Sequence, residues 1–434
     1  MRPALLIENA TLLPTEGAGP VRRAHSVLIE DGVIARVAPA GRAGRFSGRR
    51  LDAAGRVLIP GLINAHTHLY SALARGLPGI RAPRDFPAVL RNLWWRLDAA
   101  LTEEDCYQGA LVALVEAIRH GATTVVDHHS SPGAAAGSLD AVARAVRATG
   151  VRACLCYEVS DRGGARAARE GLAENLRFIR RCQGEGGDDL RALFGLHASF
   201  TLSERTLEEA AGLGRDLQSG FHVHVAEARV DRGAVRRLGR AGILGRRSIA
   251  AHCVHVSEAD MGLLAETGTA VAHNPQSNLN NGVGIADVAG MARRGVLLGL
   301  GTDAMTANML EELRAALWAA HLRSGRPSGG LDAVAGALFE GNARIAERIF
   351  GLPFGGIRAG CAGDVAILDY DPPTPLAGAN ARAHALLGLS QARVDTTVAG
   401  GRVLMEGGRL ELDLDLARVH ARARELARNL WRRL

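Results

Sequence analysis

Two histidines separated by one residue, His66 and His68, stand at the end of an apolar run over residues 57–65. Because alternate side chains of a β-strand point to the same face, both imidazoles would leave this strand end toward one point. Two imidazoles placed in this way are a natural platform for a divalent transition metal. An isolated pair is as often held by ordinary hydrogen bonds, so its meaning depends on the rest of the chain.

Eight apolar, β-rich runs alternate with helical patterns through the middle of the chain. The runs cover residues 57–65, 122–127, 151–158, 190–197, 221–227, 248–253, 269–274 and 296–301. Between them, helices are predicted over residues such as 104–120, 139–149, 204–217 and 308–323. Strands buried on both faces read as continuous apolar runs, and parallel strands need crossovers of this length. The pattern predicts an α/β fold with a (β/α)8 TIM-like barrel, although doubly wound sheets use similar units.

Polar residues of catalytic types end every one of these predicted strands. In strand order they are His66 and His68; Asp127, His128 and His129; Tyr157 and Glu158; His197; His222, His224 and Glu227; His252 and His255; His273 and Asn274; and Asp303. Ten of the 15 histidines lie at these positions. Since barrel enzymes carry their chemistry at the carboxyl ends of the strands, the pattern predicts one active site there.

These residue types suit one divalent metal ion. Three imidazoles and a carboxylate bind Zn²⁺, or Fe²⁺, with one position left open, and His66, His68, a fifth-strand histidine and Asp303 would supply them. Such an ion brings the pKa of water close to neutral. Glu227, just beyond the fifth strand, could take a proton from that water and deliver it to a leaving group. His252 could hold the water and polarise the group under attack.

The basic residues exclude one common design. All 52 of them are arginines, so no carbamylated lysine can bridge two metals at the end of the fourth strand, where His197 stands instead. A one-metal site is therefore favoured, unless a carboxylate bridges two ions. The other zinc deaminase pattern, H-x-E followed by P-C-x-x-C, is absent as well.

The two ends of the chain have a different pattern. Residues 1–56 and 355–434 are rich in short strands and turns, which predicts a small composite β-sandwich domain beside a barrel over 57–354. A final basic amphipathic helix is expected to pack on its own domain. The net charge of +7 is spread without interleaved aromatic residues, so no nucleic-acid partner is expected. The lack of an 18-residue apolar run argues against a membrane partner, and six scattered cysteines indicate a cytoplasmic protein.

Several strings carry a family resemblance. PGLINAHTH, HVHVAE, AAHCVH, HNPQSNLNNG and LGTDA, in this order, resemble the amidohydrolase superfamily, in particular its cytosine/guanine-deaminase-like aminohydrolases. The resemblance covers nearly the whole chain, including GGIRAGCAGDVAILD near its C-terminal end. HLYSALARG, LRNLWWRLDAAL, DHHSSP and YEVSDR further resemble the SsnA group of aminohydrolases, which is associated with selenium metabolism.

This resemblance implies a role for each matching residue. The implied metal ligands are His66, His68, His224 and Asp303. The implied catalytic residues are Glu227 as proton shuttle, His252 as the histidine beside the metal-bound water, and Asp303. His197 and Asn278 would lie in the substrate pocket, whereas His222 matches no ligand position and is expected to be structural. Homodimers or larger homo-oligomers are frequent in the family, although no segment here defines an interface.

Four further residues are candidates for substrate binding because they lie near the predicted strand ends or in the long connection after the first strand. They are Trp95, Asp98, His128 and Glu158. Trp94 and Trp95 form either a core pair or a lid over a flat ring. Glu158 could equally form an ordinary ion pair with an arginine.

Three functions fit these features. The first is a metal-dependent hydrolytic deaminase that releases ammonia from a C–NH2 carbon of a small purine-, pyrimidine- or triazine-like heterocycle. The second uses the same site to open a cyclic amide or ureide, or to displace chloride. The third, a non-catalytic metal- or ligand-binding barrel, would leave Glu227 and His252 without a role.

Overall fold

The computed structural model describes residues 4–17, 19–42 and 46–434. Its strands are β1 (Leu5–Leu12), β2 (Arg22–Glu30), β3 (Val33–Pro39), β4 (Arg49–Asp52), β5 (Val57–Pro60), β6 (Leu62–Thr67), β7 (Ala122–His129), β8 (Arg152–Tyr157), β9 (Leu190–Ala192), β10 (Phe194–Ala198), β11 (Phe221–Val225), β12 (Ile249–His252), β13 (Ala270–His273), β14 (Leu298–Leu300), β15 (Val365–Asp369), β16 (Arg393–Ala399), β17 (Arg402–Glu406) and β18 (Arg409–Leu410).

The helices lie mostly between the barrel strands. They are α1 (Phe86–Val89), α2 (Trp95–Ala100), α3 (Glu103–Arg119), α4 (Ser138–Thr149), α5 (Gly164–Glu185), α6 (Glu204–Asp216), α7 (Ala234–Arg240), α8 (Glu258–Thr267), α9 (Pro275–Asn280), α10 (Val288–Arg293), α11 (Met309–Ser324), α12 (Leu331–Gly336), α13 (Asn342–Phe350), α14 (Ala381–Leu387) and α15 (Leu416–Arg432). The four helices predicted from the sequence agree with α3, α4, α6 and α11 to within one residue at each end. Among the described helices, none is long and apolar enough to cross a bilayer.

A parallel barrel occupies the middle of the chain. Strands β6 to β9 form one parallel sheet and β10 to β14 another. The parallel bridges Thr67–Asp303 and Val159–Leu196 join the two sheets on both sides. All eight predicted barrel strands are present, the fourth being divided into β9 and β10, and the TIM-like fold class is confirmed.

The first predicted barrel strand was wrong in its extent. Residues 57–60 form β5, which pairs with β1 and β15 outside the barrel, and only β6 belongs to the barrel wall. Gly61 joins the two strands, and its backbone N–H donates to Asp364 O over 2.8 Å. A Cβ at this position would overlap the side chain of Thr123, so only glycine allows the close approach at this crossing.

Both ends of the chain contribute to one further sheet. Its nine strands run in the order β18-β17-β16-β15-β5-β1-β2-β3, with β4 paired to β1. Apolar side chains from both ends, such as Leu5, Val27, Ile29 and Ile367, form a buried core of their own beside the barrel core. The prediction that the two ends fold together is therefore confirmed.

The last helix, α15, does not pack on this sheet as expected. It packs on α3 and on the 3₁₀ helix Leu69–Ala74, which directly follows His68. Trp431 Nε1 donates to Leu73 O over 2.8 Å, and Gln108 Nε2 donates to Val419 O over 2.7 Å. The apolar face of the helix thus covers the loops around the carboxyl end of β6.

Candidate active site

The side chains proposed as metal ligands meet at the carboxyl ends of β6, β11 and β14. His68 Nε2 lies 3.2 Å from His224 Nε2 and 3.1 Å from Asp303 Oδ1. His66 Nε2 lies 3.9 Å from the same carboxylate oxygen. Two nitrogen or oxygen ligands at tetrahedral positions around one zinc ion, each about 2.0–2.1 Å from it, would lie about 3.3 Å apart. The His68–His224 and His68–Asp303 separations are close to this value, and His66, His68 and Asp303 have ligand atoms within 4.8 Å of one another.

Hydrogen bonds behind the imidazoles decide which nitrogen faces the centre. His68 Nδ1 donates to His128 O over 2.5 Å, and His224 Nδ1 donates to His197 O over 2.7 Å. Because a carbonyl oxygen only accepts, Nδ1 carries a proton in each of these rings, and Nε2 is the nitrogen that faces the centre. His66 Nδ1 lies 2.9 Å from His222 Nε2, and His66 Nε2 is buried without any partner.

The pKa values of these groups reflect burial and mutual contact. Burial lowers the pKa of His66 well below its usual value, and the surrounding imidazoles lower it further. Burial also acts to lower the pKa of His68, but the hydrogen bond and charge of Asp303 outweigh it and raise this pKa to about 9. Metal binding at neutral pH would therefore release a proton from His68.

Glu227 and His252 lie beside this cluster. His252 Nε2 is 3.7 Å from Glu227 Oε2 and 3.8 Å from Asp303 Oδ2, whereas His252 Nδ1 donates to Asn278 Oδ1 over 2.9 Å. Burial and the charge of Asp303 raise the pKa of Glu227 well above its usual value, against a weak hydrogen bond from Asn281. The raised pKa favours the protonated form of Glu227, and in that form it can donate to a basic ring nitrogen or a leaving amine.

The backbone at these positions is unusual. Ala226, His252 and Asp303 have φ angles of 48°, 73° and 52° although none of them is glycine. Residues held in this region cost about 1–3 kcal/mol each and persist where the surrounding structure fixes them, as at functional sites. Their occurrence at three strand ends around one cluster supports a functional role for that cluster.

A second group of potential ligands overlaps the first. His68, His128, Glu158 and His224 also have ligand atoms within 4.8 Å of one another. However, the His68 nitrogen that lies nearest Glu158 is Nδ1, at 3.4 Å, and this atom already donates to His128 O. The first group, in which the free Nε2 atoms converge, is therefore the better metal site.

A partly open cavity lies above the cluster. Its floor includes His68, His224, Glu227 and Asp303, and its walls include the aromatic residues Tyr70, Phe86, Trp94, Trp95 and Phe200. Apolar walls with a few polar groups at one end are typical of sites for small ligands. Three of the predicted substrate-binding residues besides Trp95 also line it, namely Asp98, Glu158 and His197.

The segment that carries the tryptophans is one interrupted helix. A single π-helical turn, Leu90–Trp94, lies between α1 and α2, and such turns occur often at functional sites. Trp94 and Trp95 both face the cavity and also pack against the apolar core, so the lid and core interpretations each describe part of their contacts.

Two predicted pocket residues lie outside the cavity wall. Asn278 stands behind His252, to which it is hydrogen-bonded. His128 is fully buried, and its Nε2 donates to His222 O over 3.1 Å. Each of these two side chains is hydrogen-bonded to a neighbouring residue near the ligand cluster, and neither of them lines the cavity.

The sequence analysis missed Arg162. Its Nη2 donates to Asp98 Oδ2 and, over 2.9 Å, to Ser130 Oγ, and its guanidinium lies 5.5 Å from the ring centre of Trp95. Asp98 also accepts from Ser130 Oγ over 3.0 Å, while its Oδ1 is buried without a partner. Nothing in the sequence distinguishes Arg162 from the other 51 arginines except its position shortly after the third barrel strand.

Comparisons with known proteins agree with this geometry. The model of the amidohydrolase family matches residues 57–404. A relative named 5-methylthioadenosine/S-adenosylhomocysteine deaminase, from Desulforudis audaxviator strain MP104C, is 33% identical over 98% of this chain and 99% of its own length. A relative named 5'-deoxyadenosine deaminase, from Methanothermobacter thermautotrophicus strain Delta H, is 34% identical over 91% of this chain and 92% of its own length. The chain belongs to the amidohydrolase family.

Solved structures show the same architecture. An adenosine deaminase from Xanthomonas campestris with bound zinc has a TM-score of 0.87 and 26% identity, and the match covers 99% of both chains. The atrazine chlorohydrolase TrzN from Arthrobacter aurescens TC1, complexed with zinc, has a TM-score of 0.83 at 22% identity and supports the fold alone; the match covers 98% of this chain and 100% of the other. Zinc in the Xanthomonas campestris structure and the buried histidine-rich group here agree with one divalent ion per chain.

Proposed function

We propose that this protein is a metal-dependent aminohydrolase that replaces the amino group of a nitrogen heterocycle with oxygen and releases ammonia. One observation carries the proposal. A buried carboxyl group, Glu227, and a buried imidazole, His252, stand 3.7 Å apart beside the ligand cluster. A purely metal-binding protein has no need for these two groups beside its metal.

The metal ligands in this proposal are His66, His68, His224 and Asp303, and a Zn²⁺ ion there would acidify water and polarise the carbon under attack. Asp303 also positions the reaction because its second oxygen accepts from Ser277 Oγ over 2.5 Å and faces His252. The four ligands come from three strand ends, which fixes them before substrate arrives.

Proton movement depends on two residues. Glu227 can donate its proton to the ring nitrogen beside the reacting carbon, recover one from the attacking water, and deliver it to the leaving amine. His252 Nε2 is buried without a partner and, since Nδ1 donates to Asn278, can accept a hydrogen bond from that water. Burial lowers the pKa of His252, which keeps this nitrogen unprotonated at neutral pH.

The substrate is a small flat heterocycle in the aromatic-walled cavity, with His197, Trp95, Asp98 and Glu158 as its contacts. The names of the relatives make adenosine-type purines the first candidates. The six cysteines are all unpaired and buried, which supports our proposal of a cytoplasmic enzyme.

The test is ammonia release by zinc-loaded protein from aminopurines, adenosine-type nucleosides, aminopyrimidines and aminotriazines, with acid and chloride release followed in parallel. Ammonia from one class supports the proposal and identifies the substrate class. Acid without ammonia would support opening of a ring amide, and chloride from chlorotriazines would support displacement. Tight ligand binding without any turnover would favour the non-catalytic alternative.

A further inference from the structure

Glu158 is a buried carboxylate in the active-site cavity whose charge the proposed reaction does not use. It directly follows β8, and only 4% of its surface is exposed. It lines the cavity together with His68, His197 and Arg162. Burying a carboxylate is costly unless hydrogen bonds or charges compensate for it, so its two oxygens need partners.

The two oxygens have different surroundings. Oε1 lies 3.1 Å from His128 Nδ1 and 3.4 Å from His68 Nδ1. Oε2 has His197 Nε2 as its nearest ion-pair partner, at 3.9 Å, which is beyond hydrogen-bond distance. Among the residues that the structure describes, no group donates a hydrogen bond to Oε2.

Among the described residues, the nearby arginine contributes its charge but donates no hydrogen bond to this oxygen. Arg162 Nη2 is bonded to Asp98 and to Ser130. A hydrogen-bond donor for Glu158 Oε2 must therefore come from whatever occupies the cavity.

We infer that Glu158 is a specificity-determining residue that accepts a hydrogen bond from the substrate, which therefore carries a second donor besides the amino group that is hydrolysed. The donor is a ring N–H or a second amino group, as in diamino- or amino-oxo-heterocycles. This inference rests on the proposed deaminase function and narrows its substrate class: among adenosine-type purines it favours rings that carry a further amino group or ring N–H over adenosine itself.

The same carboxylate disfavours simpler rings. An unprotonated ring nitrogen facing Oε2 would place two lone pairs against each other and would leave the carboxylate unpaired in a buried site. Sites built to bond a substrate N–H or O–H reject analogues that lack it more strongly than apolar pockets reject a missing methylene. Glu158 therefore raises the selectivity for donor-bearing rings.

The experiment compares 9-methyladenine, which has no ring N–H, with 9-methyl-2,6-diaminopurine (below, 2,6-diaminopurine), which differs by one amino group, in zinc-loaded wild type and in Glu158→Gln. We expect wild type to prefer 2,6-diaminopurine in kcat/KM by about 10- to 100-fold, and Glu158→Gln to reduce this ratio to about one with its zinc retained. Glu158→Asp, which keeps the charge but withdraws the oxygens, should give an intermediate ratio. Glu170→Gln, an exposed carboxylate on α5, is the matched control and should leave the ratio unchanged.

A binding measurement separates this inference from the proposed function. Calorimetric titration of 9-methyl-2-aminopurine and of 9-methylpurine should show the same preference in wild type and its loss in Glu158→Gln, whether or not ammonia is released. A wild type that prefers the ring without the second donor, or a ratio unchanged in Glu158→Gln, would overturn the inference while ammonia release still supports the deaminase. Loss of zinc in Glu158→Gln would place Glu158 among the ligands and would also overturn it. No ammonia from any ring, with the binding preference intact, would refute the deaminase alone.

Discussion

Replacing Glu227 by glutamine separates proton transfer from metal binding. The substitution keeps the shape of the side chain and removes only its ability to lose and regain a proton. Glu227 Oε2 is 3.7 Å from His252 Nε2, and Glu227 Oε1 accepts a long 3.4 Å hydrogen bond from Asn281. Both contacts are weak, so Glu227→Gln should fold normally.

The size of the effect follows from the role of Glu227. General acid–base catalysis contributes about 10²- to 10⁴-fold to a rate, and Glu227 serves several proton transfers in one turnover. We therefore expect kcat to fall by about 10³-fold or more, with KM changed much less. The zinc content should stay at that of wild type because the four proposed ligands are intact.

The assay is steady-state ammonia release on the best substrate of the panel, with zinc per chain measured on the same preparations. Asn281→Ala, which removes the amide that donates to Glu227, is a useful companion and should cost much less than Glu227→Gln. Wild-type turnover in Glu227→Gln would remove Glu227 from the mechanism. Loss of zinc together with activity would instead make Glu227 a ligand, as its closeness to His252 and Asp303 would allow.

Three further predictions concern the ligand cluster and the buried carboxylate behind it. Asp303→Ala should lose both zinc and ammonia release, and a chelator should inactivate the wild type until zinc is restored. His222→Ala removes the imidazole 2.9 Å from His66 Nδ1 and should weaken zinc affinity by about 10- to 100-fold, measured by competition with a chromogenic chelator. Burial raises the pKa of Asp127 to about 7, so wild-type stability should fall as pH rises from about 4 to 7, by up to about 4 kcal/mol relative to Asp127→Asn. Urea midpoints at pH 5 and pH 8 test this, since the asparagine keeps the acceptor for the 2.8 Å bond from Leu69 N but never ionises.

Each of these three predictions has a contradicting result. Zinc retained in Asp303→Ala would exclude that carboxylate from the ligands, and unchanged affinity in His222→Ala would make the contact with His66 incidental. If the difference in urea midpoint between Asp127→Asn and wild type is the same at pH 5 and at pH 8, the carboxyl group of Asp127 does not titrate between these pH values.

The barrel could be predicted from sequence because strands buried on both faces have a simple pattern. The clustering of histidines at predicted strand ends indicated where a site would lie, because all parallel strands of a barrel end on the same face. Val57 to Pro60 were wrongly assigned to the first barrel strand, because an apolar run has the same pattern in the barrel and in the sheet beside it. The docking of α15 on α3 was missed because an amphipathic helix shows its apolar face but not the surface that covers it.

The finer parts of the site depend on contacts between distant residues. Asp98 and Arg162 are 64 positions apart and meet only in the folded chain, where α2 and the turn after β8 both line the cavity. Asn278 and His128 carry polar groups of the right kind, but whether such a group faces the cavity or supports a neighbour depends on backbone geometry. Spacing along the chain predicts that a residue lies at a strand end, but it does not predict the direction in which its side chain points.

The position of α15 bears on the order in which the protein is completed during synthesis. All four proposed metal ligands lie between residues 66 and 303, whereas the cavity roof is braced by residues made more than a hundred positions later. Arg433 Nε donates to Ala100 O over 3.0 Å at the end of α2, and Trp431 is bonded to the loop after His68. A chain that ends before α15 would keep all four proposed metal ligands and lose both of these contacts. We expect such a chain to retain zinc but to bind its substrate more weakly than the full chain.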